Sequence, residues 1–127
     1  MNNPMKYVLF ISVAALIIYS LNSPIKLNSY DHMEILEDNN SIEDYEAKSF
    51  CEMKIGDIRN KKIISLLKKT HNANIELGTG STYLDIYIYE GNDGPLKYHQ
   101  VIDYRTNHKY GAKLIELLIE ECYPQQI

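Results

Sequence analysis

Residues 7–21 (YVLFISVAALIIYSL) form an apolar run, broken only by Ser12 and Ser20, with Lys6 directly before it. No acid, base, glycine or proline interrupts the run, so it cannot stand in water as a solvated segment. The h-region of a secretory leader is about 7–15 residues long, and a spanning helix needs about 17–25. Length favours a leader, but the cleavage context does not. A cut after Ser20 places bulky Ile18 upstream, and a cut after Ser23 places Leu21 upstream with Pro24 beyond it. The reading therefore favours an uncleaved anchor over a cleaved leader, with membrane contact through residues 7–21 and Tyr7 and Tyr19 near the two interfaces. A buried core helix ranks third, because the run has no polar face. Positive charge before the run puts the remainder on the far side of the membrane, either anchored on the periplasmic side or secreted.

That assignment sets the domain organisation: residues 1–21 as leader or anchor, 22–40 as a polar acidic tether, and 41–127 as one small domain. A domain of about 85 residues buries a limited core and often needs a covalent staple. The chain has two cysteines, Cys51 and Cys122. In an exported protein an even count reads as a disulfide. Closing so long a loop stabilises by about 4 kcal/mol in the chain-entropy model.

The period of the apolar residues then suggests the elements. Ser41 opens a capping pattern, and Ile42, Tyr45, Phe50 and Met53 share a helical face, which predicts a helix over 42–53. Alternation at Tyr45, Ala47, Ser49, Cys51, Met53 and Ile55 is the rival strand reading. Ile58, Ile63, Ile64, Leu66 and Leu67 oppose a lysine-rich side and predict a helix over 58–70. A short strand over 74–77 precedes a glycine turn. Residues 82–90 (TYLDIYIYE) are the clearest strand, and 96–105 return as its hairpin partner across Gly91 to Pro95. A last helix over 108–122 is capped by Asn107, packs through Leu114, Ile115, Leu117, Leu118 and Ile119, and is stopped by Pro124. The order suggests an α+β domain, a small antiparallel sheet with helices on one face.

Charge is uneven. From residue 21 to 50 there are seven acids and two lysines, and from 54 to 71 six bases and one acid. The basic stretch reads as a solvated helix face, and nucleic acid is not an expected partner outside the cytoplasm.

The best lead toward function is the tyrosines, eleven in number with no tryptophan. Leu84, Ile86 and Ile88 should point to one face of their strand, and Tyr83, Asp85, Tyr87 and Tyr89 to the other. Tyrosine combines a large ring, a polar tip and little rotamer entropy, which suits a partner surface. The plainer reading is a set of half-buried sheet tyrosines. His99 lies about 13 Å along its strand from Asp103, too far for a direct bond, and Asp85 across the hairpin is its better neighbour. The four histidines show no metal-ligand spacing. The expectation is an exported protein-binding domain of the inhibitor or immunity type, contacting another exported protein through Tyr83, Asp85, Tyr87 and Tyr89. No catalytic residue, cofactor or metal is assigned. A structural subunit of an envelope assembly is the alternative, and a small hydrolase ranks last.

Overall fold

The computed structural model describes residues 25–40, 45–73, 75–78 and 82–126. The apolar run at 7–21 lies outside the described residues. Among those described, no helix is long and apolar enough to cross a membrane.

Strands β1 (His32–Asn40) and β2 (Tyr45–Lys54) form a first antiparallel pair. A 3-10 turn at Ile55–Asp57 leads to helix α1 (Lys62–His71). Strands β3 (Thr82–Tyr89) and β4 (Leu96–Asp103) form the second hairpin, and helix α2 (Lys109–Gln126) closes the chain. The strands assemble into one antiparallel sheet in the order β2-β1-β3-β4. The fold class is therefore the expected one: an α+β fold with a small antiparallel sheet and helices on one face.

The core lies between that face and the helices. Met33 and Ile35 of β1, Leu84, Ile86 and Ile88 of β3, and Ile102 of β4 are fully buried there with Ile63 and Leu67 of α1 and Leu114 and Leu118 of α2. Alternation on β3 explains this directly, since every second residue points to the same side. The hairpin between β3 and β4 closes through Glu90 N donating to Pro95 O at 2.9 Å, with Gly91 at φ 63°, a conformation that favours glycine.

A buried polar network crosses the same layer. Thr70 Oγ1 donates to Leu66 O at 2.8 Å, Tyr98 OH donates to Gln100 Oε1 at 2.6 Å, and Gln100 Nε2 donates to Thr70 O at 3.1 Å. Every member has a partner, as a buried polar group requires.

Several elements differ from the sequence expectation. Residues 45–53 of the expected helix over 42–53 are strand β2, so the rival strand reading holds there, and residues 42–44 lie outside the described residues. The register shifts between Ile35 and Leu36, which face Cys51 and Ser49, leaving Phe50 as the extra residue of a bulge. That bulge spoils simple alternation and lets a helical spacing fit by coincidence. Residues 32–40 of the expected tether are β1, a central strand, and Ile25 and Leu27 before it pack against the core. Met33, Ile35 and Leu36 are apolar, but the segment around them is polar and acidic, so overall composition read as a solvated segment. The helix expected over 58–70 starts only at Lys62, and Ile58 is buried from the preceding loop. Residues 75–78 have no regular structure. The last helix runs on through Pro124, and Ile119 is exposed rather than packed. The cap comes from His108, whose Nδ1 accepts from the amides of Tyr110 and Gly111, rather than from Asn107.

Cys51 of β2 and Cys122 of α2 form a disulfide with Cα atoms 5.6 Å apart. It joins an edge strand to the final helix across a sequence separation of 71. Beside it, Glu121 accepts from the Arg59 amide, fastening α2 to the loop before α1.

Candidate interaction surface on the outer sheet face

Residues opposed on neighbouring antiparallel strands share a face. The register therefore arranges the outer face, opposite α1 and α2, in rows. One row holds Lys54, His32 and Tyr89; the next holds Glu52, Glu34, Tyr87 and His99. Below these come Leu36, Asp85 and Val101, then Ala47, Asp38, Tyr83 and Asp103.

Asp85 sits at the centre. His99 Nε2 lies 2.6 Å from Asp85 Oδ1, and Tyr87 OH donates to Asp85 Oδ2 at 3.0 Å. The Tyr87 and His99 rings stack with centroids 4.4 Å apart, and Tyr89 stacks on Tyr87 at 6.3 Å. Three rings thus form a row across β3 and β4, held at one end by a carboxylate. Burial, the bond to Asp85 and the nearby carboxylates push the Tyr87 hydroxyl up to about 12, so it remains a donor at neutral pH.

Asp38 stands beside Asp85. Both are buried, and Asp38 Oδ1 has no hydrogen-bond donor. Burial, followed by the contact with the Asp85 carboxyl and its charge, raises Asp38 above the usual carboxylate range. Two ionised carboxyls would both be acceptors and would repel.

The four expected contact residues all lie on this face, but they are not equivalent. Asp85, Tyr87 and Tyr89 are brought together with His99. Tyr83 is turned away, its hydroxyl donating to Gly78 O at 2.7 Å. That loop passes so close that a Cβ on Gly78 would collide with Asp103 Oδ2. The bond between His99 and Asp85 was legible as a cross-strand neighbour. Asp38 and Glu34 were missed because they were assigned to the tether; the alternation in HMEIL was the available signal.

Among the described residues no group of three or more His, Cys, Asp or Glu side chains is placed to hold a metal ion. What the arrangement offers is a flat acidic and aromatic surface on a rigid sheet. No family model, curated protein or solved structure matches the chain. The fold and the face thus define its class without a relative: a small disulfide-stapled α+β domain with an ordered aromatic sheet face.

Proposed function

We propose that the chain is an exported protein-binding domain of the inhibitor or immunity type, and that the outer sheet face is its contact surface. The observation that carries this reading is the row of Tyr89, Tyr87 and His99, stacked and tied to Asp85. Rings already fixed by stacking and hydrogen bonds lose little freedom when a partner closes over them, so more of the contact energy appears as affinity. The disulfide supports an oxidising compartment, and the apolar run at 7–21 supports delivery to it. An acidic face also repels phosphate, which argues against nucleic acid.

The test is site-specific photocrosslinking in the native host with the full chain. A benzophenone residue at Tyr89 should give an adduct of one discrete mass, and the same probe at Glu116 on α2 should not. Tyr87→Ala should weaken binding by about 1–2 kcal/mol if the ring row is a hot spot. Equal adducts from both positions, or none from Tyr89, would remove the reading.

One observation favours a second reading. A carboxylate bonded to an imidazole is the arrangement that orients a general base, and His99 with Asp85 has it. A hydrolase of this kind would lose its activity in His99→Ala and keep it in Tyr89→Ala.

A further inference from the structure

The outer face carries more acids than bases. Its rows hold Glu34 and Glu52, which are not buried, and the buried Asp38, Asp85 and Asp103, against Lys54 at one corner and the imidazoles of His32 and His99. Two further bases are paired away from this face: Lys97 Nζ is 2.7 Å from Asp31 Oδ2, and Arg59 Nε is 3.6 Å from Glu121 Oε2 on α2. Glu52 is well exposed and meets His32 at 2.7 Å, while Glu34 stands between it and Tyr87. Accessible carboxylates therefore flank the ring row on the β1 and β2 side.

From this distribution we infer that the partner presents a lysine- or arginine-rich protein surface to this face. The inference rests on the reading of the face as a protein contact and names the chemistry of what it contacts. The chemistry of the face agrees in three respects. Carboxylates beside tyrosine rings suit guanidinium and ammonium groups, which pair with the former and stack on the latter. A second copy of the chain would bring the same carboxylates against themselves, which like-charge repulsion opposes. An apolar segment would take the Glu34 carboxylate out of water without supplying a counter-charge.

The probe is a hexa-arginine peptide titrated into the disulfide-intact full chain, followed by amide and ring chemical shifts. Shifts should map to Glu34, Glu52, Tyr87, Tyr89 and His99, and the apparent Kd should weaken steeply as salt rises. Glu34→Gln with Glu52→Gln should weaken Kd by about tenfold. Glu116→Gln with Glu120→Gln, the same charge removed from α2, should change it by less than about twofold. Shifts spread over both sides of the molecule, or equal losses in the two double variants, would reduce the effect to general attraction and overturn the inference. Concentration-dependent self-association through Tyr87 and Tyr89 would overturn it in favour of a second copy. Absence of peptide binding beside a persisting Tyr89 crosslink would sink the cationic partner while leaving the protein contact standing.

Discussion

Asp31 and Asp38 flank the same strand, one just before β1 and one near its end, and both are buried. The protein treats them in opposite ways. Asp31 is saturated: Lys97 Nζ donates to its Oδ2 at 2.7 Å, as does the Asn28 amide, and the Gly91 amide donates to Oδ1 at 3.4 Å. Burial alone would raise its pKa, but the lysine and the two amides outweigh burial and hold it below the usual range. Asp38 meets burial and another carboxyl, and its pKa rises. Asp31 thus ties the segment before β1 to the turn between β3 and β4. Asp38 sits at a cost to the fold, on the proposed contact surface. Groups held against local stability are what a binding or catalytic surface tends to carry.

The sharpest way to break this comparison is Asp31→Ala. It strands Lys97, which is only 19 % exposed, and frees two amides together. Breaking a buried pair costs about 3–5 kcal/mol, and the partial exposure of Lys97 puts the expected loss near the lower end, about 3 kcal/mol. Urea denaturation at neutral pH measures it. A loss below about 1 kcal/mol would mean that Asp31 is not the clasp described.

These two aspartates also show what the sequence could and could not reveal. The hairpin of β3 and β4 was legible because Leu84, Ile86 and Ile88 alternate cleanly with Tyr83, Asp85, Tyr87 and Tyr89, and the turn between them carries Gly91 and Pro95. The disulfide was legible from count and context. β1 was not legible, because only Met33, Ile35 and Leu36 are apolar among acids and asparagines, and the same residues compose a solvated tether equally well. Asp38 and Asp31 then fell out of view, because their partners Asp85 and Lys97 come from strands far along the chain. Register between distant strands is set by packing of the whole sheet, and local pattern carries little of it.

The pH dependence of stability sharpens the contrast, with a smaller effect than the clasp mutation. Asp31 has a depressed folded pKa, so its contribution is present above its unfolded value and is lost as pH falls through the folded one. Asp38 has a raised folded pKa, so its contribution is present below the unfolded value and is lost as pH rises through the folded one. Asp31→Asn should therefore flatten the acid limb of the stability curve. Asp38→Asn should remove the decline that sets in as pH rises above the ordinary aspartate value of about 4. Denaturant midpoints from pH 3 to 8 read both. A variant at Asp38 that loses stability at neutral pH would show that its carboxyl supports the fold after all.

The smallest effects come from the tyrosine hydroxyls on the two sides of the sheet. Tyr98 and Tyr87 are both pushed up to about 12. Burial dominates at Tyr98, partly offset by Thr70, and burial reinforced by Asp85 acts at Tyr87. Tyr98 OH is enclosed between Thr70 and Gln100, so Tyr98→Phe leaves Gln100 Oε1 without its donor and should cost about 1 kcal/mol. Tyr87→Phe removes a bond on a partly exposed face, and the His99 contact to Asp85 remains, so its cost should stay below about 0.5 kcal/mol. The same pair should reverse order in partner binding, where Tyr87→Phe weakens the complex and Tyr98→Phe leaves it unchanged. That crossing of stability and binding is what separates a core tyrosine from a contact tyrosine. Both variants losing stability and binding in parallel would place Tyr87 in the fold rather than in the interface.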